Sequence, residues 1–372
     1  MNHATGTSDE LRYDAAGPVL LVGGYGTVGT ELARLVAPHW PLLLTGRNVA
    51  RGAAVAAETG ARVERWDLAG PEPFRAEVRA VVGVVNDPDD RVLRAALRGR
   101  VPYVDVTRWT ARLQRAATLA ALAGPTAPVL LSSAWMGGVT SLVAAALADG
   151  LGGADTVDVA IRWDLKDRAG ADSVEFMDRL GLDYEITEDG RRHTVMPLSD
   201  VRRVRIGAHP TKVARIDTPE QFTLPLALGA ATATTRIGFS SAASTSSLLA
   251  VKRLGFFRWG RGERFASARR ALLYAPGEGG VARLRIDVTH AGRIRTATVT
   301  DEAGQAHLTA VGAALALRRV LGADGAEAPR GVLFPELTPV PARVPELLAE
   351  YGVTLEISDV TLPVTTLATR AA

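Results

Sequence analysis

The chain has 372 residues, of which 47% are hydrophobic, and this length and composition suit a fully folded protein of two domains. Its 43 lysine and arginine residues nearly balance 40 aspartate and glutamate residues, so the formal net charge is only +3 and no dedicated nucleic-acid surface is expected. The absence of cysteine excludes disulfides, thiolate nucleophiles and cysteine-ligated metal centres.

Residues 1–16 are polar and mixed in character, and they predict a disordered leader without the apolar core of a signal peptide. No later stretch approaches the length and hydrophobicity of a membrane span. The six histidines lack the spacings of a metal site. We therefore expect a cytoplasmic protein that binds no metal, no membrane and no nucleic acid.

The first folded stretch, Gly17 to Arg47, reads as strand, glycine-rich turn, helix and second strand. Val19 to Val22 is a continuous apolar run, typical of a parallel strand buried on both faces. The G-x-G-x-x-G turn that follows suits a dinucleotide: its glycines allow a tight turn, close approach of a pyrophosphate, and packing of helix on strand. The expected cofactor contacts in this turn are Gly24, Tyr25, Gly26, Thr27, Val28 and Gly29.

The end of the second strand, Pro41 to Thr45, bears on the type of cofactor. NAD sites usually place Asp or Glu there for the ribose hydroxyls, whereas this chain continues with Gly46, Arg47 and Asn48. Arginine suits a 2′-phosphate, so we expect NADP(H), with Thr45, Arg47 and Asn48 among its contacts. The alternative is that Arg47 is one more surface arginine in an arginine-rich chain.

Strands and helices alternate up to about residue 138. The predicted elements are a helix over residues 49–59, strands over 61–66 and 80–85, a helix over 91–97, a strand over 101–106, a helix over 110–123, a strand over 128–131 and a helix over 139–147. Asp67 and Asn86 follow two of these strands at the edge where open α/β sheets bind ligands, so both are candidate cofactor contacts. A loop or capping role is an equal alternative for Asp67.

From about Thr156 the pattern changes to longer alternating strands and hairpins, which predicts an α+β second domain. The predicted elements are a strand around residues 157–161, a helix over 171–180, a hairpin around Asp189-Gly190, a strand then a loop and helix start within 230–247, a hairpin over 281–300, helices over 307–321 and 344–351, and a strand over 353–357.

These elements predict an α/β fold with a Rossmann-type doubly wound parallel sheet. Residues 17–138 would form the dinucleotide-binding domain, and residues 139–304 an inserted, β-rich α+β domain for substrate and dimerisation. Residues 305–372 would supply a return helix and strand that complete the first domain.

Four segments, taken together, resemble the saccharopine dehydrogenase-like NAD(P)-dependent reductase family, and the resemblance extends from Gly17 to about Ile357. They are VLLVGGYGTVG followed by TGR, VGVVN ending at Asn86, VPYVDVT ending at Thr107, and SSAWMGGVTSL; the late segment GVLFPEL is also similar. The resemblance implies a Rossmann domain that binds NAD(P), an inserted substrate domain, a homodimer, and hydride transfer at a C=N bond, with enoyl reductases among the relatives.

The chain also departs from the family pattern. Family members commonly have Cys-Ala-Gly-Pro where residues 87–90 are Asp-Pro-Asp-Asp, and Gly-Phe-Asp-Pro-Gly where residues 134–138 are Ala-Trp-Met-Gly-Gly. Methionine thus replaces an acidic group that could hold a substrate ammonium, which favours a less charged or more aromatic substrate than saccharopine. The resemblance places Trp109, Trp135 and Met136 beside the cofactor as pocket lining; domain-interface packing is the alternative for the tryptophans.

In a nicotinamide reductase the cofactor transfers hydride while the protein orients the substrate and supplies any proton. An iminium accepts hydride without a strong acid, so we expect an NADPH-dependent reductase acting on a C=N bond of a small metabolite other than saccharopine. Enoyl or carbonyl reduction is an alternative that needs a proton donor, for which Tyr184 and His209 are candidates. A non-catalytic NADPH-binding sensor or partner protein is another. Asp105 would orient the substrate or make a structural hydrogen bond.

Overall fold

The computed structural model describes residues 8–167, 179–256 and 279–361. Most of the helix predicted over 171–180 lies outside these residues. The strands are β1 (Glu10–Tyr13), β2 (Val19–Val22), β3 (Leu42–Gly46), β4 (Arg62–Arg65), β5 (Arg75–Val78), β6 (Ala80–Gly83), β7 (Tyr103–Asp105), β8 (Val129–Leu131), β9 (Thr156–Trp163), β10 (Tyr184–Glu188), β11 (Arg191–Val195), β12 (Arg202–Ile206), β13 (His209–Arg215), β14 (Thr232–Phe239), β15 (Ala282–His290), β16 (Arg293–Asp301), β17 (Val332–Leu333) and β18 (Thr354–Thr361).

Helices alternate with these strands in the first part of the chain and are more scattered later. The α-helices are α1 (Thr27–Val36), α2 (Ala53–Thr59), α3 (Arg91–Gly99), α4 (Thr110–Ala123), α5 (Val139–Leu151), α6 (Glu220–Leu228), α7 (Ala242–Arg253), α8 (Gln305–Val320) and α9 (Val344–Ala349). Short 3-10 helices cover Val49–Gly52, Pro335–Leu337 and Pro341–Arg343.

The first sheet is parallel throughout, in the order β17-β8-β7-β6-β2-β3-β4. Helices cover both of its faces, so β2 is fully buried: Val19 and Leu21 pack toward α1 and α8, whereas Leu20 and Val22 pack toward α3 and α4. The strand order reverses between β2 and β6, which confirms the predicted doubly wound sheet and places a ligand-binding crevice at the carboxyl ends of these two strands.

The second sheet is mixed, in the order β12-β13-β14-β9-β15-β16-β18, and only its β14–β9 pair is parallel. One face packs on α5, α6 and α8. The predicted hairpins are confirmed as β10–β11, with the turn at Asp189-Gly190, and β15–β16; the ambiguous stretch 230–247 is confirmed as a strand, β14, followed by the start of α7.

Helix α8 lies between the two sheets and joins their cores. Its leucine and valine side chains Leu308, Val311 and Leu315 pack with the second sheet. Its other stripe, Ala310, Ala313, Ala314 and Leu317, packs with the first sheet beside α1. The small alanines let α8 approach α1 closely, so the helix ties the crevice of the first sheet to the inserted domain.

Two predictions are wrong at the ends of the chain. The predicted disordered leader contains β1, which pairs in parallel with β5, and Asp9 beside it forms an ion pair with Arg91 at 2.5 Å. The strand predicted to complete the first domain, β18, instead pairs with β16 at the edge of the second sheet. Most of its described side chains are exposed, which suits an antiparallel edge better than a parallel strand buried on both faces.

Candidate active site

The turn between β2 and α1 presents backbone amides at the crevice. Gly23 adopts a φ of +85°, and α1 begins after Gly26 without a side-chain cap and without an acidic residue in its first turn. The first amides of a helix have no partner within the helix, and the helix dipole favours an anion in front of them. The turn is therefore suited to a phosphate group.

The three glycines of the motif are required for different reasons. A Cβ on Gly29 would overlap the carbonyl oxygen of Gly23 and lie 2.8 Å from the Cα of Gly24, and a Cβ on Gly24 would lie 2.8 Å from a methyl of Leu44. A Cβ on Gly26 would meet only the Gly23 carbonyl, at 3.3 Å. Packing within the protein thus explains Gly24 and Gly29, and the space in front of Gly26 fits the pyrophosphate of a dinucleotide.

The carboxyl end of β3 carries an exposed positive charge. The ring of Tyr25 lies over Gly46, where a Cβ would come within 2.6 Å of its Cζ atom. Arg47 and Arg51 are exposed, and neither forms an ion pair with another described residue. Asn48 accepts a hydrogen bond from the Ala50 amide at 3.1 Å and so caps the short helix that carries Arg51.

Arg51 was missed by the sequence analysis. The sequence feature that could have identified Arg51 is its position four residues after Arg47, at the start of the helix that follows the strand. Burial raises the pKa of the Tyr25 phenol, whereas the charges of Arg51 and Arg47 act on it in the opposite direction, which shows that all three groups share one neighbourhood.

Two predicted cofactor contacts have other roles in the structure. Thr45 has no exposed surface, so its side chain does not reach the crevice; its carbonyl accepts a hydrogen bond from Gly23 N at 2.8 Å and positions the glycine turn. The Asp67 carboxylate accepts from the Ala69 amide at 3.2 Å and pairs with Arg65 at 3.4 Å, as expected of the alternative capping role.

A cavity of about 210 Å³ begins at the start of α1 and extends toward the inserted domain. On the side of the first domain its wall contains Thr27 and Val28 of α1, Val84 and Val106 just beyond β6 and β7, and Trp109. Thr27 and Val28 belong to the glycine motif, so the cavity is continuous with the predicted cofactor turn. The carboxyl ends of parallel strands form its floor, as at ligand sites of doubly wound sheets.

The opposite wall is aromatic and comes from the inserted domain and the linker after β8. Trp135 and Met136 of the linker, and Trp163 at the end of β9, all border the cavity. The rings of Trp135 and Trp163 meet edge to face, with centroids 6.3 Å apart and planes inclined at 64°. The structure thus brings Trp109, Trp135 and Met136 to one cavity, together with Trp163, which the sequence analysis did not single out.

Trp109 also lies at the contact between the domains. The guanidinium carbons of Arg112 and Arg179 lie 4.6 Å and 4.8 Å from its ring centroid. Arg179 forms an ion pair with Asp217, and Thr110 donates a hydrogen bond to Asp217 at 2.5 Å. Asp217 and Arg179 both border the cavity, and there these two charged side chains pair with each other.

Asn86 is connected to this cluster from the cofactor side. It follows β6, beside the point where the strand order reverses, and its side-chain oxygen accepts a hydrogen bond from Arg112. A chain of contacts therefore runs from the strand end at the crevice through Arg112 to the Trp109 ring.

The backbone after Trp135 is left-handed for three residues in succession. The φ angles are +54° at Met136, +61° at Gly137 and +94° at Gly138. A Cβ on Gly137 would lie 2.5 Å from the carbonyl oxygen of Thr309 in α8, so this turn packs against that helix without room for a side chain. Non-glycine residues rarely adopt this conformation, and such turns are found where surrounding structure fixes a functional side chain.

Two buried glutamates lie behind the Trp135 wall. Glu220 accepts hydrogen bonds from the Trp135 amide at 3.2 Å and the Thr235 hydroxyl at 3.1 Å, and its burial raises its pKa. Glu336, in the 3-10 helix Pro335–Leu337, is 3% exposed, and neither of its carboxyl oxygens makes a hydrogen bond within the described part of the chain. Burial raises the pKa of Glu336 to about 7, and the nearby Glu220 adds to the rise.

Asp105 does not border the cavity. It is 1% exposed and accepts hydrogen bonds from the Tyr103 hydroxyl at 2.6 Å, the Arg108 guanidinium at 2.9 Å and the Thr107 amide at 3.0 Å. The predicted role in contacting the substrate is therefore replaced by the structural alternative: Asp105 fixes the loop after β7, from which Trp109 follows.

The two candidate proton donors also lie away from the cavity wall. Tyr184 is buried in β10 and is not among the described residues that border the cavity, and its pKa is raised first by that burial and then by the charge of Asp217. His209 is the first residue of β13 and lies near Arg162 and Arg283. Its pKa is lowered first by burial and then by the charges of these two arginines. Because successive residues of a strand face opposite sides, Arg162 points away from the side on which its neighbour Trp163 meets the cavity.

Among the described residues, no group of three or more histidine, aspartate or glutamate side chains is arranged to hold a metal ion. No helix in residues 8–167, 179–256 and 279–361 is long and apolar enough to cross a membrane.

No protein-family model matches the sequence, and no curated protein matches it. Among solved structures, apo saccharopine dehydrogenase (L-Glu forming) from Saccharomyces cerevisiae is similar with a TM-score of 0.65 at 15% identity, covering 93% of this chain and 100% of that one. The scyllo-inositol dehydrogenase of Lactobacillus casei, with bound NAD(H), is more distant, with a TM-score of 0.43, 9% identity, and coverage of 92% and 99%. The resemblance seen in the sequence is thus confirmed for the fold: this chain has the fold of saccharopine dehydrogenase.

Proposed function

We propose that this protein is an NADP(H)-dependent oxidoreductase that reduces a C=N bond. The observation that carries the proposal is the continuous cavity that begins at Thr27 and Val28, where α1 presents its free amides, and ends at the aromatic wall of the inserted domain. A dinucleotide held by the glycine turn would extend along this cavity, and when bound it supplies the hydride. The fold shared with saccharopine dehydrogenase agrees with this function.

The preference for NADP(H) rests on the end of β3. Arg47 and Arg51 offer two exposed guanidinium groups with no partner among the described residues, at the position where NAD enzymes carry an acidic side chain. Guanidinium groups bind phosphate through paired charge-assisted hydrogen bonds, which suits the 2′-phosphate of NADP(H). Tyr25 and the capped turn at Asn48 hold this region of backbone in place.

The choice of a C=N bond rests on the chemistry of the cavity wall. None of the described residues that border the cavity is His, Lys, Tyr or Glu, and Asp217, its carboxylic acid, is paired with Arg179. A protonated imine brings its own positive charge and accepts hydride without an acid in contact with it. Indole rings are favourable neighbours for a cation, and three of them surround the cavity.

The test is cofactor binding followed by turnover. NADPH affinity would be measured by calorimetry, and NADPH oxidation would then be followed with a cyclic imine, an enone and a ketone of matched size. We expect the imine to react about ten-fold faster or more than the others. Faster reduction of the enone or ketone would replace the C=N assignment, and NADPH binding with no turnover of any compound would favour a sensor instead of an enzyme.

A further inference from the structure

We propose that the cavity takes a compact, planar ring compound with no more than one net charge, and that Trp135 and Trp163 determine this preference. The inference rests on the proposed reductase function and names the substrate class of that same site.

The aromatic content of the wall is the first argument. Three of the chain's six tryptophans, Trp109, Trp135 and Trp163, border one cavity of about 210 Å³. Trp135 and Trp163 meet at 64°, so the two rings form a corner, and Phe239 supports Trp163 from behind with centroids 6.3 Å apart. Flat rings stack on or pack edge to face against such a corner, whereas a flexible chain gains little from it.

The charges of the wall are the second argument. Arg108 is held by Asp90 and Asp105, and Arg179 is held by Asp217. The described lining residues therefore offer no unpaired charge to a ligand. A chain compound with several carboxylates, such as saccharopine, would bring into this cavity charges that have no partner among the described lining residues, and burying an unpaired charge is strongly unfavourable.

The corner is preformed. The Trp135 amide donates to Glu220 at 3.2 Å, the Trp135 carbonyl accepts from the Thr140 hydroxyl at 3.2 Å, and the left-handed turn after it packs against α8. A wall that is held in place by three contacts distinguishes ligands by their shape, because it does not rearrange around a ligand that fits poorly. A ligand that fits binds without the entropy cost of ordering the wall.

The experiment is calorimetric binding to the protein without a nicotinamide cofactor, because NADPH would reduce the imine probe and NADP⁺ could oxidise the amine probes. The probes are 3,4-dihydroisoquinoline, which is a planar ring imine, decahydroisoquinoline, which has the same skeleton but is saturated and puckered, and saccharopine. We expect the planar imine to bind about ten-fold more tightly than either of the others, which corresponds to one decade in Kd. Comparable or tighter binding of saccharopine or of the saturated ring would overturn the proposal.

Substitutions of Trp135 test whether the corner formed by Trp135 and Trp163 causes the tighter binding of the planar imine. Trp135→Leu should weaken binding of the planar imine about ten-fold or more, as for aromatic residues at the centre of an interface. Trp135→Phe, which keeps a ring and is the safer substitution for folding, should lose much less. Trp40→Leu, beyond the far end of α1, should leave the Kd unchanged. A Trp135→Leu protein that folds and binds the planar imine normally would refute the assignment.

The outcomes separate this inference from the function on which it rests. Tight ring binding without NADPH oxidation would contradict the proposed reductase and leave the ring preference standing. Rapid NADPH-dependent reduction of an acyclic, multiply charged imine would support the reductase and overturn the ring preference.

Discussion

The guanidinium of Arg179, in the inserted domain, lies 4.8 Å from the ring centroid of Trp109, which precedes α4 in the first domain. Arg179 also pairs with Asp217, and both arginine and aspartate border the cavity. The wall of the proposed site is therefore also a contact between the two domains, so substitutions there change stability as well as binding.

Arg179→Lys and Arg179→Met separate the two contacts of this arginine. Lysine keeps a charge for Asp217 but loses the planar stack on Trp109, so we expect the free energy of unfolding to fall by about 1 kcal/mol. Methionine also leaves Asp217, whose side chain is 7% exposed, without its ionic partner, which should cost about 3 kcal/mol. Urea denaturation measures both, with Arg12→Lys as a surface control. Equal losses for lysine and methionine would show that the ion pair contributes nothing.

Gly26→Ala and Gly29→Ala should affect different properties. The new Cβ in Gly29→Ala would overlap the Gly23 carbonyl, so this variant should be destabilised by about 2 kcal/mol or more. The new Cβ in Gly26→Ala has room in the protein but occupies the space assigned to the pyrophosphate, so this variant should fold normally and bind NADPH about ten-fold more weakly or worse. Thermal melting and calorimetry give the two readouts. Normal NADPH binding by a folded Gly26→Ala protein would show that the diphosphate lies elsewhere.

Glu336→Gln should change how stability depends on pH. In the folded protein the Glu336 carboxyl has a pKa of about 7, against an ordinary glutamate value of 4.5, so folding favours its protonated form. The wild-type protein therefore loses stability as pH rises from 4.5 to about 7, and the non-titrating variant does not. We expect Glu336→Gln to gain up to about 3 kcal/mol relative to wild type by about pH 8, with no such gain at about pH 4.

Denaturant unfolding at about pH 4, 6 and 8 measures this difference. Glu58 provides the control, because its carboxyl pairs with Arg34 on the surface and its pKa is lowered. Glu58→Gln should lose stability above the ordinary glutamate pKa, which is the opposite sign. A pH-independent difference between Glu336→Gln and wild type would mean that folding does not change the pKa of the Glu336 carboxyl.

Much of the first sheet was predictable because strands such as β2, β6 and β8 are short apolar runs, each followed by a helix. The polar strand β4, which reads Arg-Val-Glu-Arg, and the two-residue strand β17 do not fit this pattern. The glycine motif then fixed the position of the crevice, and the switch point between β2 and β6 follows from the strand order. Local patterns say less about distant pairing. The β1–β5 pair joins segments that are far apart in the chain, and β18 pairs with β16 in the second sheet instead of joining the first. The local sequence of a strand does not determine which distant strand it pairs with.

The site was predictable in part for the same reason. Trp109, Trp135 and Met136 were placed by their positions at strand ends, and they border one cavity. Tyr184, His209 and Asp105 were chosen for the chemistry of their side chains, and burial or the opposite face of a sheet removes them from the wall. Arg179, Asp217 and Glu336 carry no motif, so only the tertiary structure brings them to the cavity or behind it. The homodimer stays a prediction.

The most direct test of the proposed function is the paired titration of the protein with NADPH and NADH. We predict that NADPH binds about ten-fold more tightly than NADH or better, and that Arg47→Ala and Arg51→Ala each reduce this ratio while leaving NADH affinity nearly unchanged. Arg65→Ala, which removes an exposed arginine that pairs with Asp67, should leave the ratio as it is. Equal affinities, or tighter binding of NADH by the unsubstituted protein, would contradict the assignment of NADP(H) as the cofactor.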